Sequence, residues 1–263
     1  MATPKLDGRN LLLSERLENV VTDPFCYFII DDYLPSDLYE SLLASFPEDS
    51  RYTYNREGKM GFRSSEDPEA VEQFAATHPE WKQLIDFFGS DAFVYDARET
   101  LAEALVAARG LWGRKPWYNC TSREVPNNWL RYQLQEPMRT THQFSLLPRE
   151  AAVVPHADAP RKLVSLLLYF RDRDWEDAWG GGTEFYIPRD PAKARKWGPT
   201  DRIPFEELEV IDTAQFRGNR LAGFVRSANS HHGVRAVTCP GGMARKALLV
   251  NIKRLKWSKR HVL

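Results

Sequence analysis

The chain has 263 residues, 43% of them hydrophobic, enough to fill one large core or two small ones. Its 36 basic residues are balanced by 36 acidic ones, so no net field draws it to nucleic acid or to an anionic membrane, and neither partner is expected. Cys26, Cys120 and Cys239 are odd in number and lack metal-ligand spacing, which suits a reducing compartment. Met1 to Val21 carries Lys5, Arg9, Glu15, Arg16 and Glu18 and no apolar signal core, and no stretch is long enough to span a bilayer; a cytoplasmic location is the expectation.

The first predicted elements are a strand at Phe25 to Ile30 and an amphipathic helix at Pro35 to Phe46, entered through Pro35 and Ser36. From Arg51 to Pro68 the composition turns to Arg, Tyr, Ser, Gly and Asp, which reads as an irregular loop and a candidate substrate cover. Glu69 to Ala76 and Glu80 to Phe88 read as two helices separated at Pro79, and Ala97 to Leu111 as a third. Arg131 and Tyr132 are expected on a strand near a site mouth, where they and Arg161 suit an acidic or hydroxylated substrate; solvated surface positions fit them equally well.

Chemistry concentrates at His156-Ala157-Asp158. In an extended strand residues i and i+2 share a side, so the imidazole and the carboxylate can close on one point. Pro155 and Pro160 bias their neighbours toward extended backbone and mark a strand end. Taken alone, His-x-Asp recurs by chance. A third donor is offered by His231-His232-Gly233-Val234, where strand alternation lets only one imidazole face the pincer, and Gly233 beside His232 favours that one. Two imidazoles and one carboxylate on one face of a metal leave the opposite positions open, as in non-heme iron oxygenases.

Arg245 to Ile252 reads as a strand bounded upstream by Pro240-Gly241-Gly242. Alternation puts Arg245, Ala247, Leu249 and Asn251 on one face. If that face lines a cavity, the guanidinium needs an anion, and a carboxylate held bidentately would satisfy it; a solvated position at the strand start is the other reading. Arg189 to Arg217, charged and punctuated by Pro191, Pro199 and Pro204, is a second candidate cover.

Over Phe144 to Ile252 these features resemble, in order, the Fe(II)- and 2-oxoglutarate-dependent dioxygenases of the prolyl 4-hydroxylase-like branch. His156-x-Asp158 is followed by the apolar strand Leu163 to Phe170, the turn Arg173-Asp174-Trp175, Gly180-Gly181-Gly182, the strand Thr183 to Ile187, His232-x-Val234 and Arg245-x-Ala247. The resemblance implies an α+β fold: a double-stranded β-helix (jelly-roll) core, with N-terminal helices packed on one sheet. It implies one domain over 1–263, with 1–124 as support and 125–263 as the catalytic core. His156, Asp158 and His232 are then the iron ligands, and Arg245 the partner of the distal carboxylate of 2-oxoglutarate. Tyr169 matches a tyrosine that hydrogen-bonds the same carboxylate, or is a core tyrosine with a satisfied hydroxyl. His231 falls to a position behind the site or at its rim.

The implied cofactors are Fe(II) and 2-oxoglutarate, with ascorbate as a further candidate; 2-oxoglutarate and dioxygen would be consumed, succinate formed and a C–H bond hydroxylated. Asp158 is present where halogenating relatives lack a carboxylate, which disfavours halogenation. Asn251 stands where several prolyl hydroxylases have a bulky aromatic, and this shifts the expected substrate from a peptidyl proline toward a small polar metabolite or a sugar-acid unit of a glycan. Two other classes compete. A non-catalytic metal-bearing jelly-roll would need a closed fourth ligand, and a zinc hydrolase would need a general base; the sequence identifies neither.

Overall fold

The computed structural model describes residues 6–54, 58–120 and 128–256. Its strands are β1 (Tyr27–Ile30), β2 (Thr53–Tyr54), β3 (Met60–Arg63), β4 (Trp117–Asn119), β5 (Glu136–Pro148) and β6 (Val153–His156), then β7 (Lys162–Phe170), β8 (Thr183–Pro188), β9 (Leu208–Ala214), β10 (Leu221–Val225), β11 (His231–Val234) and β12 (Ala244–Arg254). The helices are α1 (Leu13–Arg16), α2 (Ser36–Ala44), α3 (Pro68–Thr77), α4 (Pro79–Phe88), α5 (Asp91–Thr100), α6 (Ala102–Arg109), α7 (Trp129–Leu134) and α8 (Pro191–Ala194).

Two sheets form a jelly-roll. The larger runs β1-β10-β7-β12-β5-β3-β2, with β4 added parallel to β5; the smaller runs β6-β11-β8-β9. All other pairings are antiparallel.

Alternation along the central strands decides what lies where. In β7, Val164, Leu166, Leu168 and Phe170 join the core beneath the helices, while Leu167 and Tyr169 join the core between the sheets. Both faces are buried, which is why this strand reads as an almost continuous apolar run. In β12, Leu248, Val250 and Ile252 face the helices, and Arg245, Leu249 and Asn251 line a cavity between the sheets. One strand therefore anchors the helical layer and builds the site.

The helical layer is seated by Trp81 of α4, fully buried, with its ring centroid 4.8 Å from Phe144 of β5 and 5.1 Å from Phe170 of β7. Its indole N–H donates to the Ser45 carbonyl at 3.0 Å, so the buried polar atom is satisfied. Local signals set the helix starts: the Asp67 carboxylate accepts the Ala70 N–H ahead of Pro68, and the Ser90 hydroxyl accepts the Phe93 N–H.

Four expectations are corrected. Arg51 to Pro68 is not an irregular loop: β2 and β3 form a hairpin that extends the large sheet through pairing of β3 with β5, residues 55–57 lying outside those described. Met60 and Phe62 supply its core-facing side, a short alternation hidden by the polar residues around it. Arg189 to Arg217 contains α8 and β9, the latter paired with β8. The helix predicted over Ala97 to Leu111 is two, broken at Leu101 and preceded by a further stretch from Asp91. Arg131 and Tyr132 lie on α7, not on a strand, because the Asn128 side chain accepts the Arg131 N–H and starts a helical turn. Among the described residues no helix is long and apolar enough to cross a membrane.

Candidate metal centre

Strand β6 ends at His156 and leads directly into Asp158, while β11 lies antiparallel beside it with His232 opposite His156. The two imidazole centroids are 4.7 Å apart. One ligand atom from each of His156, Asp158 and His232 can be chosen so that all lie within 4.8 Å of one another, and no other such group occurs among the described residues.

The tautomers suit ligation. Nδ1 of His156 lies 3.0 Å from the Val154 carbonyl and Nδ1 of His232 lies 3.1 Å from the Ser230 carbonyl. A carbonyl oxygen only accepts, so both Nδ1 atoms carry the proton and both Nε2 atoms present a lone pair. Nε2 of His156 is 4.0 Å from Oδ1 of Asp158. Burial, reinforced by His232, pushes His156 down to about 2, and burial likewise lowers His232. Burial would raise Asp158, but Lys162, His232 and the hydrogen bonds from Lys162 and Ser165 hold it well below the usual carboxylate range. Neutral imidazoles beside an ionised carboxylate are the protonation states a divalent metal takes.

Asp158 is oriented from three sides. Lys162 Nζ donates to Oδ1 at 2.5 Å, the Ser165 hydroxyl donates to Oδ2 at 2.6 Å, and Arg226 Nε donates to the Asp158 carbonyl at 3.0 Å. The Asn251 side chain in turn lies 3.1 Å from the Ser165 hydroxyl, so Asn251 and Ser165 form a chain of contacts leading to the carboxylate.

At the other end of the same cavity lies Arg245, 3% exposed. Its Nε donates to the Gly181 carbonyl and its Nη2 to Thr183 Oγ1 at 3.3 Å, and its guanidinium sits 4.8 Å from the Tyr169 ring centroid. Among the described residues no carboxylate pairs with it. Burial accordingly lowers its pKa, with Tyr169 opposing. Gly181, at φ +95°, brings its carbonyl in close, since a Cβ there would sit 3.3 Å from Arg245 Cδ. The cavity between the two ends measures about 180 Å³.

Tyr169 lies behind this wall. Its buried hydroxyl donates to Thr183 Oγ1 at 2.7 Å, and Thr183 lines the cavity. His231 points to the opposite face of β11, buried with its ring 5.6 Å from that of Trp197. Arg161 is exposed, and Arg131 stacks over Tyr118 at 4.0 Å; neither these nor Tyr132 lines the cavity. Sequence reasoning missed Lys59, Arg63, Lys162, Ser165, Thr183 and Arg202, all of which do. The signal for the first two was Lys59-x-Gly61-x-Arg63 alternating with Met60 and Phe62.

The architecture matches a prolyl hydroxylase from Trichoplax adhaerens, solved in complex with a hypoxia inducible factor oxygen degradation domain peptide fragment, with a TM-score of 0.51 at 13% identity over 86% of this chain and 83% of that one. The chain has the prolyl hydroxylase fold. Also similar are a Pseudomonas putida prolyl-4-hydroxylase (TM-score 0.46, 17% identity, 88% of this chain and 93% of that one) and the non-heme alpha ketoglutarate dependent epimerase SnoN from nogalamycin biosynthesis (TM-score 0.46, 14% identity, 86% and 78%). No family model matches the chain, and no curated relative does.

Proposed function

We propose that this protein is an Fe(II)- and 2-oxoglutarate-dependent dioxygenase that hydroxylates an unactivated C–H bond. One juxtaposition carries the reading: an open triad of two imidazoles and a carboxylate shares a cavity with a buried guanidinium that no carboxylate among the described residues neutralises. His156, Asp158 and His232 would hold the iron, and Arg245 with Thr183 the distal carboxylate of 2-oxoglutarate. When bound, the metal and 2-oxoglutarate activate dioxygen, giving succinate, carbon dioxide and one oxygen atom for the substrate. The chain's own residues position the groups: Ser165 and Lys162 fix Asp158, the two backbone carbonyls fix the imidazoles, and Leu167, Phe224 and Leu249 give the cavity apolar walls.

A small polar metabolite or a sugar-acid unit of a glycan is the substrate class this reading favours; a peptidyl proline accords with the fold equally well. A closed structural metal site is disfavoured because the triad has no fourth His, Cys, Asp or Glu among the described residues. A zinc hydrolase is disfavoured because Asp158, needed as a ligand, is the one carboxylate lining the cavity among them.

The test is anaerobic addition of 2-oxoglutarate to the Fe(II)-loaded protein, with appearance of a weak visible charge-transfer band, followed by succinate formation on admitting oxygen. Metabolite extracts are then screened for a mass gain of one oxygen. Absence of both the band and succinate would overturn the assignment.

A further inference from the structure

The metal cavity is small for the work assigned to it. At about 180 Å³ it falls below the ~300–1,000 Å³ of pockets that enclose a drug-sized ligand, and its Arg245 end is reserved for 2-oxoglutarate. A second cavity of about 780 Å³ opens between α3, α4 and the first half of β5. Val71, Ala75 and Ile85 give it an apolar wall on the helices, and Thr140, Thr141 and His142 a polar one on the strand.

The two cavities adjoin at Asn251. Register places Thr141 directly opposite Asn251, so their side chains share one face of the sheet, and Lys253 follows on that same face of β12. Asn251 lines the metal cavity, and Thr141 and Lys253 line the second one. Arg245 lies at the opposite end of this face, so the group that enters past Asn251 belongs to the compound oxidised rather than to 2-oxoglutarate. Lys253 feels the metal centre from the second cavity: burial and then Lys162 depress its ammonium to about 8, with Asp158 opposing. The polar wall has hydrogen-bonding capacity to spare. Thr140 Oγ1, Thr141 Oγ1 and His142 Nε2 are buried and have no partner among the described residues, a combination rare in native folds. Thr141 is only 9% exposed and His142 6%. Paired with Ile252 and Val250, Thr140 and His142 turn toward the helices, and Thr141 turns the other way. Burial pushes the His142 imidazole down to about 4, so it is neutral, and Lys82 and Asp86 at the rim pair with each other.

Building on the dioxygenase reading, we infer that the substrate is a multiply hydroxylated compound of oligosaccharide size, whose body lies in the cavity between α3, α4 and β5 and whose oxidised end reaches the metal past Asn251. A ligand hydroxyl both donates and accepts, so it can meet a threonine hydroxyl or either nitrogen of a neutral imidazole. Unpaired groups on both faces of β5 call for hydroxyls on more than one edge of the ligand, which a sugar chain has and a proline ring lacks. Its C–H faces would pack on Val71, Ala75 and Ile85.

The probes are maltotriose and the single-ring methyl glucoside. Each is titrated calorimetrically into the anaerobic complex of the protein with Fe(II) and 2-oxoglutarate while the visible band is followed. The expected result is saturable one-to-one binding of maltotriose, at least fivefold tighter than methyl glucoside, with a shift of the band as its end meets the metal. Thr141→Val, and Ala76→Phe, which sets a ring at the cavity from an exposed position on α3, should each weaken that binding at least fivefold. Gln73→Phe, equally bulky on the same helix but outside the cavity lining, should not. Thr141→Val should also unfold no earlier than the native protein, since the hydroxyl it removes has no partner, whereas a structural threonine would cost stability. No saturable binding of maltotriose, tighter binding of acetyl-glycyl-prolyl-glycinamide, binding indifferent to both cavity substitutions, or heat without any change in the band overturns the inference. Failure of the band to form at the outset overturns the dioxygenase reading instead, so the two failures are distinct. Should Thr141→Val not fold, Ala76→Phe against Gln73→Phe decides the matter.

Discussion

Lys162 Nζ lies 2.5 Å from Asp158 Oδ1, so the carboxylate of the triad is held by an ammonium four residues along the chain. The pair is one of three contacts on Asp158, since Ser165 takes the other carboxylate oxygen at 2.6 Å and Arg226 the backbone carbonyl at 3.0 Å. A metal arriving at Asp158 meets a like charge already in place. Lys162→Met is therefore expected to tighten divalent metal binding, on the order of tenfold by the repulsion of charges a few ångströms apart in a partly buried site. Ser165→Ala, which removes an orienting hydrogen bond, is expected to weaken it. Calorimetric titration of both variants with Co(II) checks the pair of signs, and weaker binding in Lys162→Met would show that the lysine supports the ligand more than it repels the metal.

Asp158→Ala removes the carboxylate and leaves two imidazoles. Succinate formation should fall by at least about a hundredfold, the scale seen when a metal site is disrupted even at its supporting residues. Near-native turnover in this variant would exclude Asp158 as a ligand.

Arg245→Met should raise the KM for 2-oxoglutarate roughly ten- to a hundredfold, since a hydrogen bond to a charged group contributes about 1.5–3 kcal/mol. The same variant should unfold at a higher temperature without ligand, because it removes a buried guanidinium that no carboxylate among the described residues compensates. The opposite signs on binding and stability separate a ligand-holding residue from a structural one, and calorimetric scanning alongside steady-state kinetics measures both.

A pH dependence of stability follows from Lys59. Burial first, then Arg245, Lys162 and Arg63, depress its ammonium to about 7 against an ordinary 10.5, with Asp158 opposing. It is charged below that value and loses its proton as pH rises through it. In the unliganded protein the unfolded lysine binds more protons than the folded one between about 7 and 10.5, so its contribution makes stability rise with pH across that window. Lys59→Met should flatten this profile, as measured by denaturant midpoints across pH 7 to 10.

Trp81→Ala should cost about 3–5 kcal/mol, as for a large aromatic deleted from a packed core. The ring touches Phe144 and Phe170 on the two strands that flank β12, so the loss should appear in denaturant unfolding as a lower midpoint. An unchanged midpoint would mean that the helical layer does not stabilise the sheet.

Long elements with a clear period were legible from the sequence. The run Leu163 to Phe170 and the alternation from Arg245 to Asn251 each announce a buried strand, and Pro79 announces the break between two helices. The convergence of His156 and Asp158 follows from a two-residue spacing. Lys59 was not legible, because a four-residue strand with two apolar positions is too short to stand out against its polar flanks. Nor was the place of Thr183 in the cavity wall, where it accepts the Tyr169 hydroxyl from one layer deeper. Asn251 was noticed as a departure from pattern, but its contact with Ser165 becomes visible only when β7 and β12 lie side by side in register.

That dependence on register has its sharpest form in β11. His232 is opposite His156 and its neighbour His231 is buried on the reverse face, so sliding the strand by a single residue would offer the metal the wrong imidazole and bury the right one against Trp197. Two consecutive histidines make such a shift chemically silent in the sequence and ruinous in the fold. Gly233 guards against it: a Cβ there would press on the Val153 carbonyl at 2.7 Å, so only the smallest residue lets the ladder close at this alignment.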